Sequence, residues 1–158
     1  MIKIAILTVS DSCARGERKD VSGQAIRDIL SEGQFQVCKK KIIADSLKAI
    51  ANQLKYFSDK ANIDVVLTTG GTGLGPRDVT PEATVSVCER IVPGISEIIR
   101  EQGYQKTKSA VLSRGIAGVR NNTLIINLPG SPKAVRESLE IILDVLPHAV
   151  EMIHGGGH

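Results

Sequence analysis

The sequence predicts an α/β fold with three layers (α/β/α), in which helices cover both faces of a mainly parallel β-sheet that includes a C-terminal hairpin. Short, almost continuously apolar segments alternate with segments whose apolar residues recur at helical spacing. This alternation is typical of parallel strands buried beneath helices. The 158 residues, of which 42% are hydrophobic, fit a single domain with a sizeable core. We expect that domain at residues 1–153, followed by a tail at residues 154–158.

The first half of the chain alternates strands and helices. The segment Ile2–Val9 is nearly all apolar and β-branched, as expected of a strand that is covered on both faces. Ser22 is the predicted N-cap of a helix that Gly33 ends. A second strand at 35–43, an amphipathic helix at 47–57 and a third strand at 63–69 follow.

A glycine-rich segment and a proline-marked helix follow the third strand. Thr80 can cap the N-terminus of a helix whose first residue is Pro81, and we expect this helix to extend to about residue 91. The pair Pro93-Gly94 should end it. A further short helix is predicted at 95–102, where the isoleucines could line either the core or an interface between subunits.

The last third of the chain is predicted to contain the remaining strands and one helix. The strands are expected at 110–112, 116–119 and 123–128. The last two should form a hairpin around Asn121 and Asn122. Ser131 and Pro132 repeat the pattern of cap followed by proline and start the final helix, whose apolar face extends to Leu146.

Composition excludes several classes of partner. The formal net charge is only +3, which is too small to indicate a nucleic-acid or membrane surface. Aromatic residues make up 3% of the chain and tryptophan is absent, so the stacking platforms of single-strand binders are missing. We therefore expect no nucleic acid and no membrane as partners, and a small molecule or another protein instead.

Cysteine and histidine usage indicates neither disulfides nor a metal motif. Cys13, Cys38 and Cys88 are odd in number and form no CxxC pair, so a disulfide framework and a zinc ribbon are not predicted. The histidines, His148, His154 and His158, match no strong metal-binding spacing. The apolar start is too short for a membrane span and lacks the features of a signal peptide. We expect a cytoplasmic protein whose mature chain begins at or near Met1.

Polar or glycine-rich segments follow four of the predicted strands. They are residues 10–12, Asp45, residues 69–78 and residues 127–131. Ligands bind outside the carboxyl ends of the strands in open α/β sheets. The four segments are therefore expected to converge on one candidate site.

The glycines at 70, 71, 73 and 75 match neither familiar nucleotide motif. A Walker A loop needs Gly-Lys, which occurs nowhere in the chain, and the dinucleotide fingerprint needs a different spacing before a helix. Two interpretations stay open: a loop whose backbone N–H groups approach an anion, and a tight strand-to-helix turn. The turn at 127–131 allows the same two interpretations.

Charged residues beside the glycine loop suggest a phosphate and its metal ion. Arg77 and Asp78 lie between the loop and the next helix, and Mg²⁺ is usually bound by one or two carboxylates together with substrate phosphates. The alternative for Asp78 is a hydrogen bond to the loop backbone. For Asp45 and Asp11 the alternative is a role in capping the following helix.

Five segments resemble one family in sequence and order. The longest is Thr68-Thr-Gly-Gly-Thr-Gly-Leu-Gly-Pro-Arg-Asp-Val-Thr-Pro-Glu-Ala-Thr84. The others are Leu7-Thr-Val-Ser-Asp-Ser12, Leu112-Ser-Arg114, Thr123-Leu-Ile-Ile-Asn-Leu-Pro-Gly-Ser131 and Leu146-Pro-His-Ala-Val150. Together they resemble the molybdenum-cofactor biosynthesis proteins of the MogA/MoaB type, which include the G domain of gephyrin.

The resemblance implies a molybdopterin adenylyltransferase, which transfers AMP from Mg²⁺-ATP to molybdopterin and releases pyrophosphate. It implies that Asp45 and Asp78 are the catalytic and Mg²⁺-binding carboxylates. The substrate-binding residues it implies are Ser10, Asp11, Thr69, Gly70, Gly71, Thr72, Gly73, Asn127, Pro129, Gly130 and Ser131. It also implies a homotrimer or homohexamer and a contact with the molybdate-insertion protein.

Two departures from the family bear on function. Asp45 stands between Ala44 and Ser46, where relatives often have proline and an acidic residue. The chain also lacks the longer C-terminal extension of some MogA-type members and in this respect resembles the compact MoaB type. The alternative function is therefore a MoaB-type molybdopterin-binding or scaffold protein with little or no catalysis. A nucleotide-diphosphate hydrolase of the competence-damage type is disfavoured, because those proteins usually carry an additional domain.

Overall fold

A computed structural model describes residues 1–156. The strands are β1 (Ile2–Val9), β2 (Phe35–Ile43), β3 (Val65–Thr69), β4 (Arg90–Ile91), β5 (Ala117–Arg120) and β6 (Thr123–Leu128). The helices are α1 (Asp11–Ala14), α2 (Val21–Ile29), α3 (Leu47–Asp59), α4 (Thr80–Val87), α5 (Pro93–Lys106), α6 (Pro132–Ile142) and α7 (Leu146–Ile153), with 3₁₀ turns at Lys108–Leu112 and Leu143–Val145. The expectation for His158, and the last part of the predicted tail, lie outside the described residues.

The described strands form one six-stranded sheet in the order β2-β1-β3-β6-β5-β4. The first four strands in this order are parallel, and β5 and β4 are antiparallel to their neighbours. The hairpin of β5 and β6 turns at Asn121, whose φ of +50° is the left-handed conformation that asparagine tolerates. The mainly parallel sheet and its hairpin are therefore confirmed.

Alternate residues of the central strands point to two separate cores. On one face, Ile4 and Ile6 of β1 pack beneath α2, α5, α6 and α7. On the other face, Ala5 and Leu7 pack beneath α3 and α4. Because both faces are covered, the central strands read as continuous apolar runs. The three layers were thus predicted correctly.

The edge strand β2 has an exposed row of lysines at positions 39–41. Charged side chains on an edge discourage pairing with another sheet, and the expected solvated edge is confirmed. No helix within residues 1–156 is long and apolar enough to cross a membrane.

Helix starts differ from the prediction at two of the three expected caps. Asp20, and not Ser22, caps α2 by accepting a hydrogen bond from the N–H of Gly23. Thr80 is the first residue of α4, and its hydroxyl donates to the carbonyl of Gly70 at 2.9 Å. Ser131 caps α6 as predicted, by accepting from the N–H of Ala134.

The boundaries of three predicted helices differ most from the prediction, and the strand predicted at 63–69 begins at Val65. Helix α4 ends at Val87, because Arg90 and Ile91 pair with β5 instead. Pro93 occupies the first turn of α5, which runs through Gly103 to Lys106 and is longer than the predicted helix. The last predicted helix is divided into α6 and α7 by a 3₁₀ turn, since Pro147 fits the first turn of a new helix and not the interior of a continuing one.

Two elements were assigned wrongly. The expected strand at 110–112 is part of a 3₁₀ turn, in which Val111 and Leu112 are exposed, so its apolar composition reflects no burial in the sheet. The loop expected after β1 contains the single-turn helix α1, which Ser10 caps by accepting from the N–H of Cys13.

Candidate functional site

The ends of the neighbouring strands β1 and β2 are joined by two aspartates. The N–H of Asp11 donates to Oδ2 of Asp45 at 3.0 Å, and the N–H of Asp45 donates to Oδ1 of Asp11 at 3.0 Å. The parallel pairing of Val9 with Ile43 places these residues side by side. Each carboxylate therefore fixes the backbone of the other.

Arg77 reaches Asp11 from the segment after the glycine loop. Its Nε donates to Oδ2 of Asp11 at 2.8 Å and its Nη2 to Oδ1 at 3.0 Å. Arg77, together with the N–H of Asp45, holds the pKa of the Asp11 carboxyl below its ordinary value. Asp11 is thus an ionised partner of Arg77, and it binds the one cation that the sequence placed between the glycine loop and α4.

Asp45 is in a less favourable environment for charge. Burial, and then the negative charges of Asp11 and Asp78, raise the pKa of its carboxyl, while the N–H of Asp11 and the charge of Arg77 act in the opposite direction. No described residue donates a hydrogen bond to its Oδ1. An ionised Asp45 therefore has an unused oxygen and is stabilised by added positive charge.

Asp78 closes the turn that follows the glycine loop. Its Oδ2 accepts a hydrogen bond from the N–H of Gly75 at 2.9 Å. A Cβ placed on Gly73 or on Gly75 would lie 2.9 Å from the same oxygen. The carboxylate occupies space that only glycine leaves open at these two positions.

The first two glycines of the loop adopt conformations that require glycine. Gly70 has φ +96°, and a Cβ there would lie 2.3 Å from the carbonyl oxygen of Val9. Gly71 has φ +70°, and a Cβ there would lie 2.2 Å from Oγ1 of Thr80. The loop therefore passes directly over the end of β1 and the start of α4.

Two loops present backbone N–H groups without a partner among the described residues. One set belongs to Gly71, Thr72, Gly73 and Leu74, and the other to Gly130, Ser131 and Lys133. The loops lie in contact, since Oγ1 of Thr69 donates to the carbonyl of Pro129 at 2.6 Å. A Cβ on Gly130 would lie 3.4 Å from Cα of Gly70. Such groups at a loop and a helix start are suited to binding an anion.

Clefts open on both sides of the Gly130-Ser131 turn. One, of about 680 Å³, is lined by the glycine loop, Asp78, the 3₁₀ turn at Lys108–Leu112 and the start of α6. The other, of about 460 Å³, is lined by Ser10, Thr69 and Gly70 together with Arg18 and Lys19. These are the sizes of small-molecule sites.

Some of the expected site residues hold the loops in place, and Asp11, Asp45 and Asn127 line neither cleft. Asn127 is buried, donates to the hydroxyls of Thr68 and Thr84 at 3.1 and 3.0 Å, and accepts from the N–H of Ile116. Thr69 is almost fully buried, and its hydroxyl is used by Pro129. Both residues position the loops, and only the second lines a cleft.

Metal-binding groups are sparse among residues 1–156. No group of three or more His, Cys, Asp or Glu side chains could hold an ion there. His154 instead lies 3.4 Å from Asp64, which directly precedes the central strand β3. Asp45 and Asp78 are near enough for the charge of Asp78 to contribute to raising the pKa of the Asp45 carboxyl. A pair suits Mg²⁺ that is held jointly with substrate phosphates.

Sequence reasoning assigned no role to Arg114. Its guanidinium contacts the glycine loop and α4 from the segment before β5. The sequence offered two signals, an arginine between two apolar segments and its place in the family-like segment Leu112-Ser-Arg114. A second omission is Ser22, whose hydroxyl donates to the carbonyl of Gly130 at 2.6 Å.

These features define a class of protein: an α/β protein with a mainly parallel sheet, whose strand ends carry a pair of aspartates and two loops with unpaired N–H groups. A family model described as probable molybdopterin binding domain matches residues 5–148. The chain therefore belongs to this family, which is that of the MogA and MoaB proteins and acts in molybdenum cofactor biosynthesis.

Three relatives illustrate the likeness. The molybdopterin adenylyltransferase of Helicobacter pylori strain J99 is 42% identical over 156 residues, which are 98% of this chain and 89% of that protein. Molybdenum cofactor biosynthesis protein B of Escherichia coli K12 is 41% identical over 142 residues, 89% of this chain and 82% of that protein. The crystal structure of the molybdopterin biosynthesis enzyme MoaB from Thermus thermophilus has a TM-score of 0.93 and 51% identity, with 98% of both chains covered.

Proposed function

We propose that this protein is a molybdopterin adenylyltransferase that transfers AMP from Mg²⁺-ATP to the terminal phosphate of molybdopterin. The observation that supports it best is the placement of Asp45 and Asp78 beside two loops with unpaired N–H groups. The two carboxylates can share a Mg²⁺ ion with substrate phosphates, and the N–H groups can bind phosphate oxygens. The name and 42% identity of the Helicobacter pylori relative support the same activity.

In the proposed reaction, an oxygen of the molybdopterin phosphate attacks the α-phosphorus of ATP. The bond from that phosphorus to the bridging oxygen breaks, and pyrophosphate leaves with the electron pair. Because the nucleophile belongs to the substrate, the protein needs no Ser-His or Cys-His pair. Its part is to position the phosphates and to offset their charge.

Asp45 and Asp78 are the residues that would hold Mg²⁺. The fit rests on Oδ1 of Asp45, which has no donor among the described residues, and on the carboxylate pair suited to shared coordination. When bound, the ion neutralises charge on the ATP phosphates. The N–H groups of the glycine loop and of Gly130 and Ser131 would orient the phosphate groups.

Arg77 is assigned a supporting role in this proposal. Its guanidinium is used by Asp11 in two hydrogen bonds, so it acts through the Asp11–Asp45 pair. Asp11 accordingly holds Asp45 in place and does not itself contact substrate. Ser10 lines the smaller cleft and remains a proposed substrate contact.

The test is incubation with Mg²⁺-ATP and molybdopterin, followed by detection of adenylylated pterin and pyrophosphate. We expect Asp45→Asn and Asp78→Asn to reduce transfer at least about 100-fold, the size of effect seen when charge stabilisation at a reacting centre is lost. Asp28→Asn is the matched control, because the carboxylate of Asp28 only accepts from exposed Gln24 on α2.

The outcomes separate the two candidate functions. Normal transfer by both variants would show that the assigned carboxylate roles are wrong. Molybdopterin binding by the wild type without pyrophosphate release would instead favour the MoaB-type binding or scaffold function.

We further propose a cytoplasmic homotrimer or homohexamer that hands its product to the molybdate-insertion protein. Exposed apolar side chains at Tyr104, Val111 and Leu112 support a subunit contact. The isoleucines of α5 do not, because Ile99 is buried and Ile95 and Ile98 pack on the core. Light scattering after size-exclusion chromatography tests the assembly, and a monomer would exclude it.

A further inference from the structure

Arg114 joins the segment before β5 to both ends of the Gly73–Asp78 turn. Its Nε donates to the carbonyl of Gly73 at 2.8 Å and its Nη2 to the carbonyl of Asp78 at 2.8 Å. Its Nη1 contacts the carboxylate of Glu82 in the first turn of α4. Its backbone N–H donates to the carbonyl of Thr72 at 2.9 Å. One side chain thus spans the whole turn that presents Asp78.

The segment that carries Arg114 is itself held from the opposite side. Nη1 of Arg100, on α5, donates to the carbonyls of Ser113 and Gly115 at 3.3 and 2.7 Å. These are the residues on either side of Arg114. The guanidinium of Arg114 therefore extends from a fixed backbone and not from a mobile loop.

The planar guanidinium sets the distance between the two carbonyls it bonds. Those carbonyls lie at the first and last residues of the turn, and Oδ2 of Asp78 is enclosed between Gly73 and Gly75. A change in the separation of the carbonyls would move the Asp78 carboxylate and the unpaired N–H groups of the loop together. Reaction rates are sensitive to displacements of about 1 Å at such groups.

We propose that Arg114 is a positioning residue that sets the location of the Asp78 carboxylate relative to the reacting phosphates. It touches neither substrate nor metal and acts through the turn. The inference rests on the proposed function for its kinetic test only, because the geometry of the turn can be measured without any reaction.

Arg120 supplies a matched control. It also makes three side-chain hydrogen bonds, two to the carboxylate of Asp59 and one to the carbonyl of Val87. Its side chain is 22% exposed and that of Arg114 is 36% exposed. Arg120→Gln therefore removes a comparable set of contacts near the β5–β6 hairpin, away from the cleft.

The experiment compares Arg114→Gln, Arg114→Lys and Arg120→Gln in the full chain. We expect Arg114→Gln to lower kcat for AMP transfer about 10- to 100-fold, with KM for ATP changed less than about threefold. Arg114→Lys should lose nearly as much, because a single ammonium group cannot span both carbonyls. Arg120→Gln should keep kcat, although it should lower Tm by as much as Arg114→Gln does.

Amide hydrogen exchange at Gly75 and Asp78, whose N–H groups donate to the Asp78 carboxylate and to the Gly75 carbonyl, is the readout that does not depend on activity. We expect faster exchange there in both Arg114 variants and no change in Arg120→Gln. If the wild type transfers AMP and Arg114→Gln retains its kcat within about twofold, the inference is overturned and Arg114 only stabilises the fold. If the wild type transfers no AMP, the proposed function fails separately. In that case faster exchange supports the inference and unchanged exchange overturns it.

Discussion

Asp11 and Asp45 each donate a backbone N–H to the carboxylate of the other, both at 3.0 Å. The pair locks the ends of β1 and β2 together and leaves Asp45 partly desolvated near two other negative charges. The arrangement is unfavourable for an ionised Asp45 in the absence of a cation. Ionised groups in unfavourable surroundings of this kind are expected at sites that bind a ligand of opposite charge.

Asp45→Asn is therefore predicted to stabilise the ligand-free protein at pH 7 while reducing transfer at least about 100-fold. Asparagine keeps an oxygen for the N–H of Asp11 and removes the desolvated charge. The folded protein holds the Asp45 proton more tightly than the unfolded chain does, so ionisation at neutral pH destabilises the fold. Thermal unfolding at pH 7 without Mg²⁺ should give a higher Tm for the variant.

The pH dependence of that difference follows from the raised pKa. The gain in Tm should be full above the raised pKa of Asp45 and decrease as the pH falls through it. Below the ordinary aspartate pKa of 3.8 the carboxyl is protonated in both states, and this contribution disappears. A constant Tm difference from pH 3 to pH 8 would contradict the explanation.

Gly73→Ala is predicted to reduce activity with little loss of stability. The new Cβ would lie 2.9 Å from Oδ2 of Asp78, and the end of that side chain can move away without disturbing the backbone. We expect transfer to fall at least about 10-fold, because the carboxylate leaves its position, and Tm to change by a few degrees at most.

Gly94→Ala is the matched control for this variant. Gly94 lies in the first turn of α5, and a Cβ there meets no atom within 4 Å. Alanine in a helix is favoured over glycine by up to about 1 kcal/mol. Equal activities of the two alanine variants would show that the position of Asp78 does not matter for transfer.

Asn127→Ala is predicted to destabilise the fold and not to weaken ligand binding directly. The change removes bonds to two buried threonine hydroxyls and leaves the N–H of Ile116 without its side-chain acceptor. Losses of this kind amount to about 2–3 kcal/mol. Urea unfolding should show the decrease, while the folded fraction should bind molybdopterin with unchanged Kd. A weaker Kd at equal stability would restore a contact role for Asn127.

Cys88 is predicted to resist alkylation. Burial, and then the charge of Glu89, raise the pKa of its thiol to about 11, so at pH 8 only about one thiol in a thousand is ionised. Cys38 is exposed on β2. Mass spectrometry after brief treatment with iodoacetamide should find Cys38 modified and Cys88 intact, and rapid modification of Cys88 in folded protein would contradict this.

The strands and most helices could be predicted because their causes are local. Ile2–Val9 is apolar along its whole length because both faces of β1 are covered, and Ser131 next to Pro132 marks a helix start through the chemistry of two adjacent residues. Apolar composition was misleading at Val111 and Leu112, which are exposed. Nothing in a local pattern distinguishes an apolar residue on the surface from one in a strand.

The candidate site was predicted in outline, and the roles of its residues were not. Topology brings the strand ends together, so convergence of the four loops followed from the order of the elements. The contacts of Arg114 with Gly73 and of Arg77 with Asp11 join residues that are 41 and 66 positions apart. Such bonds leave no periodic trace in the sequence, and they decide which polar residues line the clefts and which only support others.

The bond from Thr69 to Pro129 also has a consequence for how the protein is made. The glycine loop at the end of β3 is completed by a turn that lies after β6, which is 60 residues later in the chain. The chain must be synthesised through β6 and must emerge from the ribosome before the two loops can meet. Non-local contacts form only once both segments are present. A nascent chain that is arrested before β6 should therefore have no ligand-protected loop, even with β1, β2 and β3 already exposed to solvent.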